Sequence, residues 1–278
     1  MASDSAVYTQ PRANRRWRLA TQEALWGYFF IVPWIIGFIA FMLVPIVASF
    51  WLSLQRYEVL TPPKWVGIKN YTTFLFQDPL FSKSLLNTFY YVALSVPLGL
   101  VVALGLALLL NLNLRGVSIF RTIFYVPMVT PVVAVSLLWL FLFNPQFGVL
   151  NYLLDLVGLP RLGWISDPAW SKPSLILMSL WTVGGTMLIF LAGLQGVPVQ
   201  LYEAAQIDGA NHWQRFVHIT LPMLSPVIFF NLVLGVIGSF QTFTQAYVMT
   251  GGGPVDSTLF YALYLYRNAF KLLRMGYA

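Results

Sequence analysis

Five stretches of this chain carry no Asp, Glu, Lys or Arg: residues 24–55, 84–114, 122–154, 173–202 and 216–255. Each is longer than the ~20 residues a helix needs to cross the hydrocarbon of a bilayer. A bilayer offers no water to backbone amides, so an apolar run of this length must close its hydrogen bonds on itself, as a helix. The pattern predicts an all-α membrane protein with five spans, with cores at about 25–51, 85–110, 122–143, 174–196 and 223–249. Composition agrees. Only 9% of the 278 residues are charged and 58% are hydrophobic, where a soluble domain carries about 25% charged residues. Pro33, Pro45, Pro97, Pro127 and Pro131 lie inside the spans. They predict kinks, because neighbouring helices can re-satisfy a carbonyl that a proline leaves free.

The connections alternate in character. Residues 55–83 and 144–172 are long and hold Trp65, Tyr71, Phe74, Trp164 and Trp170, whereas 111–121 is short and carries Arg115 and Arg121. Residues 1–22 are expected to be a basic cytoplasmic tail, with Arg12, Arg15, Arg16 and Arg18 clustered ahead of the first span. A secretory signal is the competing reading. The apolar run is far longer than a signal core, and no small-residue cleavage site follows it. Raw Lys/Arg numbers do not orient the chain, with nine in the external segments and seven in the internal ones. Short loops and flanks weigh most in the positive-inside rule. By that rule the N-terminus, 111–121 and 201–222 are cytoplasmic. The formal charge is +7, but the basic residues are scattered between apolar spans. A nucleic-acid partner is therefore not expected, and contact with anionic membrane lipid is. The chain has no cysteine, which excludes disulfides.

Between the fourth and fifth spans lies the run EAAQIDGANHWQRFVHITLPMLSP, residues 203–226. It opens with good helix formers. Gly209 is a natural turn because a residue without Cβ accepts φ > 0. Trp213, Phe216, Val217 and Ile219 then restart an apolar pattern near helical spacing. The run predicts a short helix, a turn and a second amphipathic piece leading into the fifth span. The bland role for such a piece is an interfacial linker. The ordered pattern Glu203-Ala204-Ala205, Asp208-Gly209-Ala210, Phe216, Ile219, Leu221-Pro222 and Pro226 closely resembles the EAA loop of binding-protein-dependent ABC importer permeases. The resemblance extends to Asn87-Thr88, to Arg115-Gly116 through Arg121 to Pro127, and to Asn144-Pro145 with Gly148 and Asn151. Gly251-Gly252-Gly253-Pro254 looks like the carbohydrate and glycerol-phosphate branch, in which the maltose-type first permease falls. Coverage runs from about residue 25 to the end.

The resemblance implies an ABC importer type I transmembrane domain over 23–278, in a bacterial or archaeal cytoplasmic membrane. It implies that the 200–222 loop docks into a groove on an ATPase, with Glu203, Ala204, Ala205, Asp208, Gly209 and Ala210 carrying the coupling. The partners it implies are a second permease subunit, an ATP-binding ATPase dimer, an extracytoplasmic solute-binding protein, and a sugar or polyol as solute. Permeases of this kind usually have six spans, and Met275-Gly276-Tyr277-Ala278 resembles the lead-in to the sixth. The expectation is a sixth span beyond Ala278. The alternative is a five-span protein with a docked external tail.

Other chemistry is sparse. There is no GxxxxGK followed by Ser or Thr, so no phosphate loop is expected. Gly251-Gly252-Gly253 reads as a turn, since no Lys follows. His212 and His218 are not at i, i+4 and have no acidic ligand in step, so no metal and no cofactor are expected. The spans hold no ionisable group of the kind an ion-coupled carrier uses, which points to energy from elsewhere. A membrane enzyme or a scaffold on the same helices is the alternative class, but an enzyme would need titratable groups in a pocket.

Polar residues in the fifth span suggest a solute path. Asn231, Gly235, Ser239 and Thr242 fall at i, i+4, i+8 and i+11, one helical stripe, bordered by Gln241 and Gln245. Interhelical hydrogen bonding is the competing role for each. An uncharged lining suits a neutral solute such as a sugar better than an anion. The small residues Gly99, Ala103, Gly105, Ala107, Gly184, Gly185, Gly193, Gly235 and Gly238 are expected to mediate helix packing.

Overall fold

A computed structural model describes residues 13–112 and 115–278, with the side chains of 13–18 and 20 excepted. Arg12 and the side chains of Arg15, Arg16 and Arg18, the expected basic cluster, lie outside the described residues. The chain divides into two compact units. One holds the described residues up to Asn70 with Arg274–Tyr277, and the other holds Tyr71–Leu273 and Ala278.

In the first unit α1 (Ala13–Phe38) runs through a π-helical turn, Ile39–Leu43, into α2 (Val44–Ser53). The chain is therefore already helical at Ala13, inside the stretch expected as a tail. The turn has a cause in the sequence. Pro45 has no N–H to bond the carbonyl four residues back, and its ring clashes with that carbonyl. The wider i→i+5 winding just before it relieves the clash. After α2, Gln55–Arg56 pairs antiparallel with Lys64–Trp65. Asn70 Nδ2 donates to the carbonyls of Ser53 (2.7 Å) and Gln55 (2.9 Å), tying the hairpin to the end of α2. Gly276 N donates to Tyr57 O at 3.0 Å. A Cβ on Gly276 would lie 2.1 Å from Gln55 O, so only glycine fits there.

The second unit opens with α3 (Lys69–Phe76), whose first two residues fall in the other unit, and α4 (Pro79–Leu110). α4 starts six residues before the expected core. Asp78 caps it by accepting from Leu80 N at 2.9 Å, and Pro79 suits the first helical position. The helix runs on through Pro97.

The third window is a bent pair, α5 (Val117–Val129) and α6 (Val132–Leu142), with axes 101° apart. The break sits at Thr130-Pro131. Thr130 has φ −76 and ψ 134, as the residue before a proline prefers. After α7 (Val149–Leu156) comes a second bent pair, α8 (Ser171–Trp181) and α9 (Gly184–Gln195), with a 49° bend. The expected single spans at 122–143 and 174–196 are therefore broken. Among the described residues, three helical stretches are long and apolar enough to cross a membrane: Thr21–Ser53, Pro79–Leu110 and His212–Met249. The total reaches five when each bent pair is taken as one span.

α10 (Val199–Ile207) and α11 (His212–Arg215) lead through another π turn, Phe216–Thr220, into α12 (Leu221–Phe240). This π turn again stands just before a proline, Pro222. α13 (Thr244–Met249), α14 (Tyr261–Tyr266) and a third π turn, Arg267–Lys271, which no proline follows, complete the unit.

α4 is the axis of this unit and packs against α8, α9, α12 and α14. Ala103, Ala107, Leu110, Met187, Phe190, Leu191, Leu194 and Leu224 form the core at its C-terminal half. Small residues set the helix separations, as expected, at four positions. A Cβ on Gly184 would lie 2.2 Å from Phe124 O, one on Gly185 2.3 Å from Met128 Sδ, one on Gly193 2.9 Å from Leu224 Cδ2, and one on Gly235 3.2 Å from Val96 Cγ1. Gly105 and Gly238 face open space, so they do not serve packing within this chain.

The segment after α13 folds back on the N-terminal half of α4. Buried Asn87 donates to Asp256 O (2.8 Å), and Thr88 Oγ1 accepts from Tyr261 N (2.9 Å). Ser171 and Ser257 share a 2.7 Å bond. From α7, buried Asn151 makes four bonds to the loops on either side. It donates to Pro145 O and Leu162 O and accepts from Leu162 N and Trp164 Nε1. Gly148 is obligatory beside it, since a Cβ would sit 2.4 Å from Asn144 O.

Candidate functional site: an exposed loop and a polar cavity

The run 203–226 adopts the predicted helix, turn and second helix. α10 ends in a Schellman motif. Gly209 takes φ +79, its N–H donates to Gln206 O (3.1 Å), and Ala210 N donates to Ala205 O (2.8 Å). Two residues on, Asn211 opens α11 with a full capping box. Its side chain accepts from Gln214 N, and the Gln214 side chain accepts from Asn211 N, each at 2.8 Å. The Tyr202 hydroxyl, 3.0 Å from Thr220 Oγ1, ties α10 to the start of α12. Both histidines are engaged locally. His212 Nδ1 lies 3.0 Å from Arg215 Nη2, and His218 Nδ1 lies 2.9 Å from Gln214 O.

Glu203, Ala204, Asp208 and Gly209 are exposed, and Ala205 and Ala210 are half-buried. The space where a Gly209 Cβ would stand is empty. Ile207 (87% exposed) and Trp213 (70% exposed) flank the turn; Trp213 belongs to the expected apolar pattern, whereas Ile207 was not singled out.

The second place of interest lies where the helix breaks face α4 and α12. A cavity of about 200 Å³ is lined by Tyr91, Ser95, Ser179, Thr182, Asn231 and Ser239, among others, with Gly235 and Gly99 leaving the room. A second cavity of about 320 Å³ shares Tyr91, Ser179 and Thr182 and extends past Thr130 to Gln245. Helix breaks make this room polar. At Thr130 and Thr182 the backbone leaves helical geometry, which a membrane tolerates only inside protein or beside a water-filled space. The Ser95 hydroxyl is buried with no protein partner, and it faces the smaller cavity. Asn231 is buried and donates to Val227 O in its own helix (2.9 Å).

Of the expected stripe, Asn231, Gly235 and Ser239 share this cavity. The stripe does not continue as one helical face. α12 ends at Phe240, Gln241 is its exposed C-cap, and Thr242 lies in the irregular link before α13. Thr242 nonetheless reaches the same place, beside the Tyr91 phenol and Ser179. Gln245 joins the larger cavity. Tyr91, Ser95, Ser179, Thr182 and Thr186 were not foreseen. The signal that singled out the fifth span was present in the others. Tyr91, Ser95 and Gly99 recur at i, i+4 and i+8 in the second window, and Ser179, Thr182 and Thr186 at i, i+3 and i+7 in the fourth.

Residues 95–276 match the family model described as "Binding-protein-dependent transport system inner membrane component". The chain belongs to this family. The permease is 45% identical to the "Probable ABC transporter permease protein YesP" of Bacillus subtilis, over 96% of this chain and 87% of that protein. It is 35% identical to the "Trehalose/maltose transport system permease protein MalF" of Thermococcus litoralis, over 87% of this chain and 82% of that one. Among solved structures it resembles a chain of a bacterial ABC transporter involved in the import of the acidic polysaccharide alginate. The TM-score is 0.78 at 28% identity, covering 95% of this chain and 90% of that one. The helical membrane architecture and the importer-permease resemblance read from residues 203–226 stand on these matches. A permease, not an enzyme, is the class to which the chain belongs.

Proposed function

We propose that this permease forms half of the translocation path of an ABC importer for a sugar or related polyol. In this reading it pairs with a second permease subunit, receives solute from an extracytoplasmic binding protein, and is driven by a separate ATPase dimer. The N-terminus and the 200–222 loop lie in the cytoplasm, and 23–278 acts as one transmembrane domain. Glu203, Ala204, Ala205, Asp208, Gly209 and Ala210 present the coupling surface. The observation that carries the reading is the uncharged hydroxyl- and amide-lined cavity at the helix breaks, which includes the unpartnered Ser95 hydroxyl. Neutral hydrogen-bonding groups in an otherwise apolar interior match the hydroxyls of a sugar and offer an anion no counter-charge. Related permeases named for trehalose/maltose and lactose transport support the solute class.

Transport by Ser239→Leu and Thr242→Leu in the assembled importer tests the path. Each is expected to lower uptake at least about tenfold, since a lost hydrogen-bonding site leaves solute hydroxyls unpaired. Normal uptake with unaltered solute preference in both variants places the solute site elsewhere.

A further inference from the structure

Four aromatic rings form a continuous row on α13, the end of α14 and the turn after it. Phe243 and Tyr247 stack at 5.3 Å with their planes 15° apart. Tyr266 lies 5.0 Å from Phe243 and 5.4 Å from Tyr247, and Phe270 lies 5.3 Å beyond Tyr266. The fold does not need this row as core. α14 is anchored to α4 by its other face, where Phe260, Leu263 and Tyr264 are buried and Phe260 packs on Tyr91 at 5.1 Å. In the row, Tyr247 is 39% and Phe270 59% exposed, and the other two rings are half-buried. The rim is polar: two phenols, and Lys271 Nζ at 5.3 Å from the centre of the Tyr247 ring. The row also begins where the inner cavities end. Phe243 follows Thr242, beside Tyr91, and Gln245, between Phe243 and Tyr247, lines the larger cavity.

A pyranose ring has C–H faces that lie well on an aromatic ring and hydroxyls at its edge that need partners. Tyrosine supplies both a face and a polar tip, and a lysine beside the rings adds donors. Four rings in file exceed what one monosaccharide covers. We propose that Phe243, Tyr247, Tyr266 and Phe270, with Lys271, form an outer carbohydrate site that stacks the pyranose rings of an oligosaccharide before it enters the inner cavity. The proposal rests on the sugar reading above.

The test uses the full-length chain in lipid nanodiscs, with the subunits that copurify with it. Saturation-transfer NMR measures transfer from aromatic protons to maltotriose and to an alginate trisaccharide. Transfer to at least one probe is expected from the unsubstituted protein. The double variant Tyr266→Leu/Phe270→Leu keeps apolar bulk but has no ring faces, and it should reduce that transfer about fivefold or more. Tyr266→Phe/Phe270→Tyr should restore it. If transfer survives the leucine pair and vanishes with Ser239→Leu, the outer site is overturned and the sugar reading stands. Transfer unchanged in both the leucine pair and Ser239→Leu also overturns the outer site. If neither probe shows transfer and the importer takes up neither, both fail together.

Discussion

At the scale of single residues, the second unit depends on a few positions where no side chain fits. Gly184 is the tightest, with backbone of α5 2.2 Å from where its Cβ would be. A carbonyl on a neighbouring helix cannot swing aside as a side-chain tip can, so α5 and α9 must separate. Gly184→Ala is expected to destabilise the purified permease by about 1–3 kcal/mol, the usual range for overpacking, read as a lower unfolding temperature in nanodiscs. Gly105→Ala, in open space, is the matched control and should leave that temperature unchanged or slightly raised.

Gly209 presents the opposite case. Nothing surrounds it, and its constraint is φ +79 alone. Gly209→Asp should therefore cost the isolated chain only about 1 kcal/mol of backbone strain. Docked against an ATPase, the same carboxylate would be desolvated and unpaired, so the variant should lose ATPase pull-down while still inserting in the membrane. Wild-type pull-down and transport in this variant would exclude the loop from coupling.

At the scale of elements, prolines explain three departures from regular helix. Pro45 and Pro222 each follow a π turn, and Pro131 follows the 101° break between α5 and α6. Pro33 and Pro97 are carried inside continuous helix. The break at Thr130-Pro131 shapes the larger cavity, because Pro127, Met128, Thr130 and Val132 all line it. Pro131→Ala lets Thr130 return to helical ψ and α5 run on into α6. We expect cells carrying Pro131→Ala to insert the protein normally and to lose most uptake. Uptake at the wild-type rate would show that the break is incidental to transport.

At the scale of the whole molecule, the proposed path and coupling loop stand in a sequence with no GxxxxGK followed by Ser or Thr. In the proposed function, energy for uptake reaches it through a partner ATPase. The purified chain should hydrolyse no ATP, and turnover should appear only when the ATPase partner is added. ATP turnover by the chain alone, abolished by a substitution within it, would overturn the assignment.

The sequence by itself determined the membrane class, the approximate windows, and the helix–turn–helix of 199–220. Each of these is a local property. Charge-free length sets the partition into lipid, and the propensities of EAA, Gly209 and Asn211 with Gln214 set helix, stop and restart within a dozen residues. The tertiary structure decided the rest. It decided that Gly184 brings α9 against α5, that the fourth window breaks at Thr182 with no proline present, and that Ser239 and Thr242 meet Tyr91, Ser95 and Ser179 from other helices. It also parted the predicted stripe at Gln241, leaving that side chain exposed while Thr242 stands beside Tyr91 and Gln245 lines the larger cavity. A cavity belongs to several helices at once. Its lining depends on crossing angles that arise only when separate segments pack, and no single window of sequence contains them.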